Sequence, residues 1–241
     1  MMNEAARPAA GHIVLRGDGL VCRARAWPSM PDTAQLVMYQ QIRPPTSADL
    51  ARWGEQLAEL GFARIRTSAL ATAAARRVEL AGFHTIQELV LLQHDHPRRA
   101  PRPRAPIGRL VSDRQGEAAA IDRAAFGHEW SLDADAIDDV RRATPSHRAR
   151  TAGGTAFRAY AITGRDARQG FLQRLAVAPE HQGQGLGTAL VLDALRWSGR
   201  WRADRVLVNT PTTNLVALGL YERLGFHRLT ERLRVYERSL A

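Results

Sequence analysis

HQGQGLGTAL, residues 181–190, places Gly183, Gly185 and Gly187 at alternate positions just before an apolar run. Glycine adopts backbone angles that other residues resist, and it adds no side chain to a close approach. Bare amide N–H groups at the start of a helix form an anion site. Taken alone, the decapeptide reads equally well as a flexible turn, so its neighbours decide. GFLQRLAV (170–177) upstream has the composition of a strand, and GTALVLDALRW (187–197) downstream has the periodicity of an amphipathic helix. The glycines therefore lie in a strand-to-helix turn.

The flanking sequence extends this pattern. IGRLVSD (107–113) is expected to be a strand. RQGEAAAIDRAAFG (114–127) and LDADAIDDVRRAT (132–144) are expected to be helices, the second ended by Pro145. TAFRAYAITG (155–164) and DRVLVNT (204–210) read as strands, NLVALGLYERLGF (214–226) as a helix closed at Gly225, and LRVYERSL (233–240) as a last strand. Alternating strands and helices indicate an α/β or α+β chain.

The end of the N-terminal part repeats this grammar. LARWGEQLAELGFARIRTSALATAAARRVELAGFH and LVLDALRWSGRWRADRVLVNTPTTNLVALGLYERLGFH both run helix, strand, helix, Gly-Phe-His, and a strand follows each. Counted back from Phe83 and Phe226, the second helices align without a gap. This is an internal repeat. Between the copies lies HPRRAPRPRAP (96–106), in which prolines alternate with arginines. Proline removes donors and favours extended chain, so this segment is expected to be a linker between a domain of residues 1–95 and one of 107–241. A basic hook for an anionic surface is the other reading of the same residues.

Two motifs, in order, carry a family resemblance. Gln182-Gly183-Gln184-Gly185-Leu186-Gly187 fits Gln/Arg-x-x-Gly-x-Gly/Ala, and residues 214–226 fit Asn-x-x-Ala-x-x-Leu-Tyr-x-x-x-Gly-Phe. From about residue 107 to 241 the chain resembles the GNAT superfamily of acyl-CoA-dependent N-acyltransferases. The resemblance implies a mixed, largely antiparallel central sheet flanked by helices, in two tandem copies of which the first is shortened. It implies acetyl-CoA as co-substrate, with the pyrophosphate on the amides of residues 182–187 and Thr188, and the pantetheine arm along Leu175, Ala176 and Val177. Asn214 would touch that arm. Tyr221 would protonate the departing thiolate, a step that benefits from a hydroxyl held near the sulfur. An N-cap for Asn214 and a packing role for Tyr221 are the structural alternatives.

The helix-strand-helix grammar survives in the first copy, but the chemistry does not. Val78 stands where the second copy has Tyr221, Ala71 where it has Asn214, and no glycine-rich turn precedes the first helix. A tandem with one silent half is similar to the architecture of the mycothiol synthases. The second half also resembles the ribosomal-protein N-terminal acetyltransferases, which carry a glutamate five residues before the motif asparagine. Here that residue is Asn209, which cannot serve as a base. His128, Glu129 and Asp133, at the expected start of the substrate-facing helices, are the candidates for that role or for contact with the acceptor. His181 beside the loop reads as a surface residue.

Composition bounds the alternatives. The formal charge is +10, but all 34 basic residues are arginine, which suggests a GC-rich genome more than a nucleic-acid face. Nucleic acid and membrane are therefore not the expected partners; an amine of a small molecule or protein is. The single cysteine, Cys22, excludes an internal disulfide, and no metal site is expected. MMNEAARPAAGH lacks an apolar signal core, so a cytoplasmic setting is expected. A non-catalytic acyl-CoA-binding or interaction module is the alternative function. The presence of Tyr221 together with an intact loop weighs against it.

Overall fold

The computed structural model describes residues 12–17, 20–37 and 45–240. Residues 1–11, on which the signal-peptide reading rests, lie outside the described residues. In chain order the elements are β1 (Ile13–Arg16), β2 (Val21–Trp27), β3 (Met30–Val37), α1 (Ser47–Glu59), β4 (Arg64–Thr67), β5 (Leu70–Ala71), α2 (Thr72–Leu80) and β6 (His84–His94). There follow β7 (Ile107–Arg109), α3 (Gln115–Trp130), α4 (Ala134–Arg142), β8 (Ser146–Ala152), β9 (Ala159–Asp166), β10 (Gln169–Val177), α5 (Leu186–Arg200), β11 (Arg205–Pro211), α6 (Leu215–Arg223) and β12 (His227–Ser239). Two compact units result, one of residues up to Val90 joined by those from Thr230 onward, the other Leu91–Leu229.

In the first unit the strand order is β1-β2-β3-β4-β12, with β5 also pairing β12. β1, β2 and β3 are antiparallel neighbours, β3 and β4 are parallel, and β4 and β12 are antiparallel. Leu50, Trp53 and Leu57 share one face of α1 by helical spacing and are fully buried with Leu36, Ile65 and Tyr236. Tyr236, from the last strand, is anchored by two hydrogen bonds: its amide donates to Thr67 Oγ1 at 3.1 Å and its hydroxyl to Glu79 at 2.8 Å. Cys22 is buried in this core, and burial pushes its thiol up to about 12, so it offers no reactive thiolate.

In the second unit the order is β11-β10-β9-β8-β7. β10 and β11 are parallel; the other pairs are antiparallel. Residues 159–164 of β9 are all buried, which requires cover on both faces of the sheet. Tyr160 and Ile162 pack with Ala118 of α3 and Ile137 of α4, so the alternate residues Ala161 and Thr163 face the other way. The largest helical contribution there is α5, whose Leu190, Val191, Ala194 and Leu195 are buried.

Several expectations change in detail. β8 was not legible as a strand: SHRARTA has few apolar residues, and the strand buries small ones instead, Ala149 and Ala152. The helix expected over 114–127 reaches its predicted end at a kink, where Gly127 has φ 74° and ψ 176°. The 96–106 segment does not begin as free linker. Pro97 and Ala100 are buried, Arg196 donates to the Ala100 carbonyl at 3.0 Å, and a Cβ on Gly199 would lie 2.7 Å from the Arg98 amide nitrogen. Only a glycine lets α5 approach that backbone so closely. The final strand likewise contributes its residues from Thr230 onward to the first unit. No described helix is long and apolar enough to cross a membrane.

Candidate active site

The site is built where two parallel strands part. β10 and β11 pair at Gln169–Arg205, Gly170–Val206 and Phe171–Leu207, and no further pair joins them. Just beyond this point the β9–β10 ladder shifts register between Leu172 and Arg174. A bulge of this kind bends the strand and increases its twist. Leu175, Ala176 and Val177 remain paired to Ala161, Tyr160 and Ala159 of β9 on one edge, so their other edge faces the opening.

A buried polar cluster holds the bulge. Arg174 donates from Nε to Asp122 Oδ2 at 2.8 Å and from Nη2 to Asp122 Oδ1 at 2.6 Å. Its Nη2 also donates to the Trp130 carbonyl at 2.9 Å, and the guanidinium lies 3.6 Å from the Phe126 ring centroid. Tyr160 donates to Asp122 Oδ2 at 2.5 Å, and the Leu132 amide donates to Oδ1 at 2.7 Å. Burial alone would lower the Arg174 pKa, but the paired carboxylate more than offsets it and the net shift is upward. The Tyr160 hydroxyl is pushed well up by burial and by the Asp122 charge. Removing one member would leave a buried charge uncompensated, a change that costs about 3–5 kcal/mol in comparable pairs. The cluster thus ties the turn after the Gly127 kink to β10.

The glycine turn lies at the end of β10. The Ala178 amide donates to the Arg158 carbonyl at 2.9 Å, residues 179–181 form a single 3-10 turn, and α5 starts after Gly185. Gly183 and Gly185 have φ of 75° and 80°, and a Cβ on either would meet no atom within 4 Å. The first intrahelical bond runs from Ala189 N to Gly185 O at 3.0 Å. The amides of Leu186, Gly187 and Thr188 therefore precede the intrahelical ladder, and no side chain caps them. Gln182 and Gln184 brace the turn by donating to the carbonyls of Val177 and Glu180, each at 3.4 Å. Gly187 differs from the other two glycines, because it is buried and a Cβ there would sit against Leu220 and Val177. It is the packing glycine of the three. Open glycines and uncapped amides at a helix start fit a pyrophosphate.

Tyr221 lies on α6, and Asn214 immediately precedes that helix. Asn214 is the N-cap, its Oδ1 accepting from the Ala217 amide at 3.1 Å, so the capping alternative is realised. Tyr221 is 4% exposed and its ring centroid lies 5.6 Å from that of Phe226. Its hydroxyl has no hydrogen-bond partner among the described residues. Burial raises its pKa, and the Arg174 guanidinium acts in the opposite direction. A hydroxyl that stays protonated at the end of a buried ring can donate a proton to an incoming group.

The base candidates are less closely gathered. His128 and Glu129 are exposed beyond the Gly127 kink, and Asp133 caps α4 by accepting from the Ala136 amide at 2.7 Å. Asn209 is exposed on β11, and His181 is half-buried beside Gln184. Asp122, Tyr160 and Arg174 have no sequence signal, since they come from three elements and form no local pattern. No group of three or more potential metal ligands occurs among the described residues.

Residues 145–226, which span β8 to the end of α6, match the Acetyltransferase (GNAT) family. Over this segment, about a third of the chain, it is similar to the GNAT acetyltransferases. Among curated proteins it is 34% identical over 62 residues to the uncharacterized N-acetyltransferase YobR of Bacillus subtilis, 26% of this chain and 25% of that one. It is 39% identical over 69 residues to human N-alpha-acetyltransferase 30, 29% of this chain and 19% of that one. It is 43% identical over 54 residues to the mycothiol acetyltransferase of Pseudarthrobacter chlorophenolicus, 22% of this chain and 17% of that one. Each match thus spans a quarter or less of the relative's length. Among solved structures, a tandem GNAT protein from the clavulanic acid biosynthesis pathway superposes with TM-score 0.63 at 16% identity, over 92% of this chain and 79% of that one. A GCN5-related N-acetyltransferase from Kribbella flavida gives TM-score 0.63 at 15% identity, over 93% and 89%. Both show the mixed α/β GNAT fold.

Proposed function

We propose that the chain is an acetyl-CoA-dependent N-acetyltransferase that moves an acetyl group to a primary amine of a small molecule or protein, in a cytoplasmic setting. The second unit performs the chemistry; the first is a degenerate copy that binds no cofactor. The observation that carries this reading is the uncapped start of α5, with open Gly183 and Gly185, at the mouth of the β10–β11 divergence.

Acetyl-CoA, when bound, supplies a thioester as acyl donor. The amides of residues 185–188 receive the pyrophosphate charge, helped by the positive end of the α5 dipole. The free edge of Leu175, Ala176 and Val177 offers backbone groups to the amide-bearing arm, as an added strand would use them. The acceptor amine attacks the thioester carbonyl directly in a ternary complex. As the carbon–sulfur bond breaks, the Tyr221 hydroxyl protonates the sulfur, and the tyrosine regains its proton from solvent. The amine sheds its proton to water or to His128 or Glu129, the two base candidates that do not cap a helix.

The test is thiol release from acetyl-CoA across a panel of amines: N-terminal peptides, lysine peptides, amino sugars and polyamines. Amine-dependent release together with a mass gain of one acetyl group on the acceptor is expected. Tight acetyl-CoA binding without amine-dependent release from any class would instead establish a non-catalytic acyl-CoA-binding module.

A further inference from the structure

The second unit contains an open cavity of about 430 Å³ lined by Arg98, Arg148, Asp193, Arg196, Trp197 and Arg200. It lies along the C-terminal half of α5, whereas the glycine turn precedes that helix's first residue. Four arginines face one carboxylate here, a local charge of +3. That carboxylate is already engaged. Arg148 donates from Nη2 to Asp193 Oδ2 at 2.5 Å and to the Asp193 carbonyl at 2.7 Å, and its guanidinium stacks 5.1 Å from the Trp197 ring centroid. Asp204, the next acid within reach of Arg98, is bound at 2.5 and 2.7 Å by Arg168. Among the described residues neither Arg98 nor Arg200 has an ion-pair partner.

A helix C-terminus favours cations, and this accounts for Arg196 and Arg200 on α5. It does not account for Arg98 and Arg148, which two other segments bring to the same hollow. Burial also lowers the pKa of Arg148 to about 10, so the floor of the cavity holds a charge that is poorly solvated. Concave, under-neutralised positive sites concentrate anions, and guanidinium forks match phosphate oxygens.

We infer that this cavity binds a compact phosphate-bearing small molecule, independently of the acetyl-CoA turn. Its volume is that of a small-ligand site rather than of a long strand track. Arg98 and Arg200 at the rim would grip the phosphate, over a floor formed by Arg148 and Trp197.

The experiment is calorimetry on the full chain at moderate salt, with inorganic pyrophosphate, adenosine 5′-monophosphate and a short single-stranded oligonucleotide as probes. Saturable binding of pyrophosphate or the monophosphate is expected. It should weaken at least tenfold in the double variant Arg98→Gln, Arg200→Gln, two exposed changes that leave the core intact. It should persist in Gly185→Glu, verified as folded by circular dichroism. Failure of both small probes, indifference to the arginine changes, or loss in Gly185→Glu instead would each overturn the assignment. So would binding of the oligonucleotide alone, which would make this a nucleic-acid surface.

Discussion

The parallel ladder between β3 and β4 runs from Thr33–Arg64 to Leu36–Thr67, the whole length of β4, and Ser68 N adds a bond to Leu36 O at 3.2 Å. In the second unit the equivalent ladder, β10 with β11, stops at Phe171–Leu207 and leaves residues 208–211 of β11 unmatched with β10. The helices that precede β4 and β11 differ in the same sense at their starts. α1 begins with a capping box: Thr46 N and Oγ1 donate to the Asp49 carboxylate at 2.8 and 2.7 Å, and Asp49 N donates to Thr46 Oγ1 at 3.2 Å. Its own carboxylate supplies the negative charge that a helix start attracts. α5 has no such cap and keeps its first amides available. The second helices of the two copies end alike, at Gly82 and Gly225, with Phe83 N bonded to Val78 O at 3.1 Å and Phe226 N to Tyr221 O at 3.0 Å. One scaffold is therefore closed by its own groups and the other left open, and the difference lies in which backbone valences are already used.

The largest expected effect is at Tyr221, the residue that Val78 replaces in the closed copy. Tyr221→Phe keeps the ring packed, so acetyl-CoA affinity should stay within a few-fold. Turnover on an accepted amine, read by thiol release, should fall by roughly 10²–10⁴, the usual contribution of general acid–base catalysis. A phenylalanine variant with near wild-type turnover would remove the catalytic half of the contrast. Next is Gly185→Glu, which adds a carboxylate to the α5 start, as Asp49 already supplies one within the first turn of α1. Acetyl-CoA affinity by calorimetry should drop at least tenfold, about 1.4 kcal/mol. In the wild type one equivalent should bind per chain; two would erase the distinction between the copies.

A smaller effect is expected on the closed side. Thr46→Ala removes half of the capping box and should cost about 1 kcal/mol of stability in denaturant melts, with acetyl-CoA affinity unchanged. A change in affinity would show that the α1 start does bind ligand. The smallest effect concerns the ends of α1 and α5. Gly61 and Arg202 occupy the same left-handed position, at φ 86° and 63°, with matching bonds from Phe62 N to Leu57 O and from Ala203 N to Ser198 O, each 3.0 Å. Arginine is strained there, so Arg202→Gly should stabilise the protein by about 0.5 kcal/mol, visible as a small rise in Tm. No rise, or a fall, would mean that the arginine side chain offsets its backbone strain.

What could be read beforehand was local. The glycine turn, the Asn214 cap, the Gly-Phe endings and the alternation of strand and helix are all contiguous signals, and the structure places them as expected. The site's support was not legible. Asp122, Arg174 and Tyr160 look in sequence like a surface acid, a strand arginine and a core tyrosine, and only the tertiary fold joins them. β8 was invisible because its buried residues are Ala149, Thr151 and Ala152, small or polar, and its arginines bury their stems. The strands β1 to β3 precede the repeated segment and had no partner pattern to announce them. The proline-rich segment misled for a physical reason: proline forbids ordinary hydrogen bonding, yet Pro97 and Ala100 can still be buried when Gly199 lets a helix come close.

The C-terminal strand has a consequence for how the chain is born. Residues from Thr230 onward belong to the first unit, where Tyr236 is fully buried and Glu237 Oε2 pairs with Arg66 Nε at 2.5 Å. A ribosome making this protein releases the start of that unit first and its last strand only after residues 91–229. Residues 91–229, a contiguous run, meet no such delay. Their contacts are closer in sequence, which favours early folding. The unit synthesised second is therefore able to finish first, while β1 to β4 wait with an unfilled sheet edge for the residues from Thr230 onward.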